Sequence, residues 1–354
     1  MRLRSSEAST TKGTKVHEGN SCQLFFVALR TFCRHWARRA SLGYRGIAHA
    51  TFGRMQFEGT TGGEWFQCQL AALLACVAVS SWSVAQTSVH VHFRLQTREV
   101  VEGHLKSFSD RNSEREALIR KWFAESGCSD ANLSEQALDR KLPPNVICVL
   151  PGETQETIVV GAHTDKVERF GDGVVDNWTG AVLLPALLYS LSAQPRHHTI
   201  IFIGFSSEEE GLVGSRYYVD HLSSEERDHI EGMVNFDSLG LSPTKVWASH
   251  ADKALLDALN VTAKAAHLPL AFMNVESVAA RASADSESFA HYHIRRITLH
   301  SVTPTTWSVL HSPFDKLAAV RMNDYYDSYK LIAEYLAYLD EALRPESRPD
   351  KPTR

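Results

Sequence analysis

HTIIFIGFSSEEEGLVGS, residues 198–215, runs from an unbroken apolar stretch into three consecutive carboxylates and then into a glycine-punctuated segment. An apolar run of this length, rich in β-branched residues and free of polar alternation, reads as a strand buried on both faces. That is the habit of parallel sheets covered by helices. The glutamates at its end repel one another unless solvent or a cation compensates them. A solvated turn is the ordinary explanation of such a triplet. A cation is the functional one, because ligands in open α/β sheets bind beyond the carboxyl ends of the strands.

Outward from this stretch, Val100–Phe108 and Glu114–Ser126 read as short helices forming an N-terminal flank, the second with Leu118, Trp122 and Phe123 on one face. Pro143-Pro144 opens the strand NVICVL, and a turn at Pro151-Gly152 leads to TIVVGAH, so the two predict a hairpin entering the sheet. Thr179–Leu191 is a predicted helix, HTIIFIGF a strand, Gly211–Leu222 a helix and GMVNFD a strand. KVWAS, a helix from Asp252 to Ala266, RRITLH and a closing helix from Asn323 to Ala342 continue the alternation. No internal repeat and no long linker follows Ala85. The pattern predicts one α/β domain over residues 86–344, a mixed and mostly parallel sheet with helices on both faces. Residues 345–354, charged and Pro-rich, are expected to be a disordered tail.

At 354 residues and 44% hydrophobic content the chain can bury a full core. Its charge is uneven. Residues 1–54 hold ten of the 37 Lys and Arg but two of the 41 acids, and residues 55–85 hold two acids and no base, which leaves the stretch from Gln86 near −10. A mildly acidic body without a basic stripe excludes nucleic acid as the expected partner.

Residues 1–85 read as a leader region. The apolar run QLAALLACVAVSSWSVAQ, residues 69–86, ends beside a Ser83-Val84-Ala85 triplet suited to signal peptidase, with Met55 as an alternative start. Export to a periplasmic or extracellular location is expected. The alternative is an uncleaved anchor that keeps the basic segment cytoplasmic and the protein on the membrane. Cys22, Cys33, Cys68 and Cys76 precede the cleavage point, leaving Cys128 and Cys148 either to pair or to stay as buried thiols.

Acidic and imidazole residues then recur in the order His163, Asp176, Glu208 with Glu209, Asp237 and His311, most of them just after an apolar run. As single residues, a loop histidine, a helix-capping Asp176 and a turn Asp237 are ordinary. Together they are the hard and borderline ligands that a pair of divalent cations needs from several strand ends. In GAHTD, Asp165 is placed to orient the second nitrogen of His163. In GDGVVDNWTGA, the two oxygens of Asp176 can bridge cations about 3.5 to 4 Å apart, with Gly171 and Gly173 letting the loop close in. Adjacent glutamates divide labour naturally, one binding metal and the other taking a proton from water. Asp315 is a supporting residue for the His311 loop.

These segments resemble the zinc exopeptidase family that includes the secreted bacterial leucyl aminopeptidases, with glutaminyl cyclases and glutamate carboxypeptidases as relatives. The resemblance covers about Asn145 to Leu339. The family's HxD segment matches His163-Thr164-Asp165, its DDNxSG segment Val175 to Gly180, and its EExGLxGS segment Glu208 to Ser215. Its NxDxxG segment matches Asn235 to Gly240 and its YHTPxD segment Leu310 to Asp315. The resemblance implies two zinc ions per chain, one held by His163 and Asp237, the other by Glu209 and His311, with Asp176 bridging and Glu208 as general base. It implies an aminopeptidase acting on peptides or small proteins, with a single-zinc glutaminyl cyclase or a carboxypeptidase as alternatives. Where the family has SDH, this chain has Ala284-Asp285-Ser286, so Asp285 remains as a substrate-side candidate without the histidine. Val175 replaces an acid and Leu310 a tyrosine. Ser238, Trp307 and Leu310 are the candidates for the wall that receives the first side chain. Oligomeric state is not legible.

Overall fold

In the computed structural model, which describes residues 15–16, 89–138, 142–280 and 282–345, eight strands form one sheet. They are β1 (Leu133–Gln136), β2 (Asn145–Leu150), β3 (Thr157–His163), β4 (Thr199–Phe205), β5 (Ile230–Phe236), β6 (Lys245–Val246), β7 (Ala271–Phe272) and β8 (Arg296–His300). Their order is β1-β2-β4-β3-β5-β8-β6-β7. β4, β3, β5 and β8 run parallel to their neighbours in the centre, while β1, β2 and β6 are antiparallel additions. A separate two-residue pair joins Lys15–Val16 to Val89–His90. The leader region 1–85, apart from Lys15–Val16, and the tail beyond Pro345 lie outside the described residues.

The helices are α1 (Arg98–Lys106), α2 (Asn112–Glu125), α3 (Leu183–Leu191), α4 (Val213–Asp220), α5 (Ser224–Asp228), α6 (Lys253–Ala266), α7 (Ser286–Ala290) and α8 (Met322–Ala342). Every residue of β3 is buried, as its unbroken apolar sequence demands. Its side chains alternate: Ile158, Val160 and Ala162 join the larger core under α2, α3, α6 and α8, whereas Val159 joins a smaller core under α4 and α7. Helices therefore cover both faces.

Two differences from the sequence expectations matter. NVICVL and TIVVGAH do not pair as a hairpin; β4 lies between them, antiparallel to β2 and parallel to β3. The turn after Pro151 reverses the chain, but the more apolar β4 takes the central place beside β3. The predicted helix at Gly211 starts at Val213, because Leu212 has a left-handed backbone. Of the two alternatives for the cysteines, the disulfide is realised: Cys128 and Cys148, with Cα atoms 6.2 Å apart, tie the end of α2 to β2.

Candidate metal centre

The parallel strands deliver their next residues to one edge of the sheet. His163 is the last residue of β3, Asp237 follows β5 directly, and Glu208 and Glu209 lie in the turn beyond β4. Asp176 comes from the tight turn Val174–Trp178 ahead of α3, where its peptide bond to Asn177 is cis. His311 comes from the loop between β8 and α8.

The Asp176 carboxylate sits between two imidazoles. Its Oδ1 is 3.2 Å from His163 Nε2 and its Oδ2 is 3.1 Å from His311 Nε2. Asp237 Oδ1 approaches His163 Nε2 at 3.9 Å, and Glu209 Oε2 approaches His311 Nε2 at 3.0 Å. The donor atoms of His163, Asp176 and Asp237 lie within 4.8 Å of one another, as do those of Asp176, Glu209 and His311. Glu209 Oε1 is buried without a hydrogen-bond partner. Carboxylate and imidazole donors so grouped, with a buried oxygen left open, fit divalent cations such as zinc.

Supporting residues hold these side chains. The Asp165 carboxylate accepts the backbone N–H groups of Glu208 at 3.0 Å and Glu209 at 3.1 Å, which fixes the acidic turn. His163 Nδ1 lies 3.2 Å from the Asp165 backbone carbonyl and 3.5 Å from its Oδ1. A proton on Nδ1 leaves Nε2 free to face Asp176. Asp315 accepts from Val175 N–H at 2.6 Å and Asp176 N–H at 3.1 Å, joining the His311 loop to the bridging turn. Gly171 permits that approach: a Cβ there would stand 2.5 Å from the Ser312 carbonyl, and its φ of +63° is left-handed. Asn177, which the sequence reading passed over, donates to the Phe236 carbonyl and accepts from Ser238 N–H and Gly180 N–H. Its sequence signal is its place beside Asp176, as the asparagine of the matched DDNxSG segment. Ser207, Ser238 and His311 all take left-handed backbones beside the site, each costing roughly 1–3 kcal/mol where surrounding structure enforces it.

Without cations the cluster is electrostatically frustrated. Burial pushes the Glu208 carboxyl well up, against the pull of His163, and Asp285, Asp237 and Glu209 add to the rise. Asp237 is pushed up to about 6, by burial first and then by Asp176. His311 is raised to about 11 by its hydrogen bonds with Asp176 and Glu209.

A cavity of about 650 Å³ opens beside Glu208, Glu209, Asp237 and His311. Ser238, Trp307 and Leu310 line it, and Ser238 Oγ also donates to Asp237 Oδ1 at 3.0 Å. Asp285 does not line it. It is fully buried, and burial lifts it to about 7 against the opposing pull of His163 and Ser215. Its neighbours Ser283 and Ala284 face the cavity instead. Trp247, Val302 and His300 complete the wall and were not anticipated. Burial drops His300 to about 4, and its Nδ1 accepts from Val302 N–H, so the imidazole is neutral.

The sequence profile of peptidase family M28 matches residues 145–336. Over shorter stretches the chain is similar to leupeptin-inactivating enzyme 1 of Streptomyces exfoliatus, 40% identical over 100 residues, 27% of this chain and 22% of that one. It is also similar to aminopeptidase YwaD of Bacillus subtilis (strain 168), 30% identical over 171 residues, 42% of this chain and 37% of that one. The matched region thus spans well under half the length of either relative. In fold it is similar to BSAP, a zinc aminopeptidase from Bacillus subtilis, with TM-score 0.51 and 24% identity over 58% of this chain and 52% of that one. It is likewise similar to the Porphyromonas gingivalis glutaminyl cyclase, with TM-score 0.54 and 15% identity over 68% of this chain and 97% of that one. The profile match runs from the first residue of β2 into α8, takes in more than half of the chain, and encloses every residue gathered at the strand ends; the chain belongs to peptidase family M28.

Proposed function

We propose that this chain is a metal-dependent aminopeptidase that hydrolyses the N-terminal peptide bond of peptides, with two divalent cations, zinc the first choice. The observation that carries the reading is the two-faced Asp176 carboxylate, each oxygen of which meets a different imidazole. His163 and Asp237 would hold one cation, Glu209 and His311 the other, and Asp176 would be shared. When bound, such a pair supplies Lewis acidity, giving a more acidic water and a polarised scissile carbonyl.

Glu208 is the proton carrier in this reading. It sits beside Glu209 with its backbone fixed by Asp165, and its carboxyl lines the cavity. Burial raises its affinity for a proton, in the sense needed by a group that takes a proton from water and returns it to the leaving amine.

The cavity wall of Trp247, Val275, Val302, Trp307 and Leu310 suits an apolar first side chain. No Lys or Arg occurs among the described residues that line it. Two imidazoles on one carboxylate favour hydrolysis with two cations over cyclisation with one. The Cys128–Cys148 disulfide supports export to an oxidising compartment, periplasmic or extracellular, with a membrane-anchored form as the alternative.

The test measures bound metal per chain, then compares unblocked aminoacyl, N-blocked and N-terminal glutaminyl substrates. Two metals with cleavage of the unblocked substrate alone are expected. Cyclisation of the glutaminyl substrate with one metal would overturn the proposal.

A further inference from the structure

α2, read from sequence as a flanking helix, presents Asn112, Arg115 and Glu116 at i, i+3 and i+4, the spacing of one helical face. Arg115 is fully buried and Glu116 nearly so. Ile119, Trp122 and Phe123 of the same helix provide its apolar packing, while the Arg115 guanidinium lies over the Trp178 ring, 5.3 Å from its centroid. All three polar residues reach the loops that carry the metal-centre side chains. Asn112 Oδ1 accepts Lys166 N–H at 3.2 Å, and Arg115 Nη1 donates to the Thr164 carbonyl at 3.4 Å, so the residues on both sides of Asp165 are held. The Arg115 guanidinium also donates twice to the Gly173 carbonyl at 3.1 Å and to the Asp172 carbonyl, at the entrance to the Asp176 turn. Its Nε donates to Ser109 in its own segment at 2.8 Å. Glu116 Oε1 accepts from Ser206 Oγ at 3.2 Å, two residues before Glu208.

A buried guanidinium is expensive to desolvate, and here its fork spans carbonyls at the two ends of the connection from residue 164 to 173, a reach that the planar fork suits better than a compact ammonium head. Gly173 makes room for it: a Cβ there would stand 3.1 Å from Arg115 Nη2 and 2.4 Å from Lys166 Cβ. We propose that α2 is the clamp of the metal centre, with Arg115 a positioning residue that holds the His163–Asp165 loop and the Asp176 turn in register while Glu116 holds the acidic turn. The inference rests on the metal reading above.

The test uses the full chain with Arg115→Met, and with Arg120→Met as control, since Arg120 lies on the solvent side of α2, paired with the half-exposed Glu135. Zinc affinity by chelator competition should weaken on the order of 10–100-fold in Arg115→Met, the usual cost of losing support behind metal ligands, with kcat falling and KM near wild type. Hydrogen exchange of the metal-free protein should quicken in peptides covering 163–166 and 171–176, and not in β4 or α8. Arg120→Met should match wild type in both. If Arg115→Met does not fold, Arg115→Lys, which keeps the charge but not the fork, carries the same test. Wild-type affinity and loop exchange in the variant, or faster exchange throughout the sheet, would overturn the clamp. If wild-type protein binds no zinc, the metal reading fails, and the clamp stands or falls on whether exchange in the metal-free variant quickens in those loops alone.

Discussion

The proposed half-site of His163 and Asp237 stands on strand ends, and that of Glu209 and His311 stands on loops. The His163 side chain is 1% exposed and that of His311 is 55% exposed, although both face the same carboxylate. Sheet hydrogen bonds continue past the first pair: Thr164 N–H reaches the Phe205 carbonyl at 2.8 Å and Asp237 N–H the Leu299 carbonyl at 2.9 Å. The second pair relies on Asp165 beneath the acidic turn, on Asp315, and on the left-handed backbone that turns His311 inward. One half is thus built by folding itself, and the other is assembled from loops at the mouth of the cavity.

The largest effect should come from the residue the two halves share. Asp176→Ala should empty both, with metal per chain near zero and turnover lost by well more than the roughly 10–100-fold that supporting residues cost. Retention of one metal would show that the halves are independent. Next, Glu208→Gln should lower turnover on the order of 10²–10⁴ with metal content unchanged, because it belongs to neither half. Loss of metal would make Glu208 a ligand. His163→Ala and His311→Ala then separate the halves. Removing His163 leaves Asp176 and Asp237 without their buried partner and should cost the metal-free protein about 3–5 kcal/mol in chemical denaturation. Removing the half-exposed His311 should change stability by no more than about 1 kcal/mol while still releasing one metal. Equal stability losses would erase the distinction between strand-built and loop-built halves.

The gathering of residues at the candidate centre was partly legible, because a carboxylate or imidazole that ends an apolar strand has one place to go. β3, β4 and β5 are identifiable from composition alone; His163 ends β3, Asp237 directly follows β5, and the glutamates come three and four positions after β4. Strand order was not legible. A reversing turn after β2 does not reveal that β4 will pair with it from about fifty residues away, so the expected hairpin gave way to a crossover. The α2 contacts were hidden for the same reason, since Arg115 meets partners 49 and 58 residues distant and its own helix shows no polar periodicity that names them. Asp285 shows a further limit. Its position in a familiar segment said nothing of which way it points, and it turned inward, away from the cavity its neighbours line.

The smallest expected effect is a pH dependence that distinguishes the halves without disabling either. In the metal-free protein Asp237 is pushed up to about 6, Asp285 to about 7 and Glu116 to about 8, burial being the first cause in each. Each value lies above that of the unfolded chain, near 4, so the folded form holds the proton more tightly. Their stabilising contribution is complete below about pH 4 and is lost as pH rises through these values. His163 and His311, also raised, lose theirs above about pH 6.5, and for His311 the loss extends to about 11. His300 and His104, lowered by burial, act in the opposite sense below about pH 6.5 but are fewer. The metal-free melting temperature should therefore fall from about pH 4 to about pH 8, and zinc, which pairs the carboxylates and requires neutral imidazoles, should raise it more at pH 8 than at pH 5. His311→Ala should make the slope above about pH 7 shallower and leave the part below about pH 6.5 intact, because the buried carboxylates act between about 4 and 8 whereas His311 acts from about 6.5 upward. A metal-free melting temperature that climbed across this range would mean that the strand-built half is not the desolvated acid cluster its burial implies.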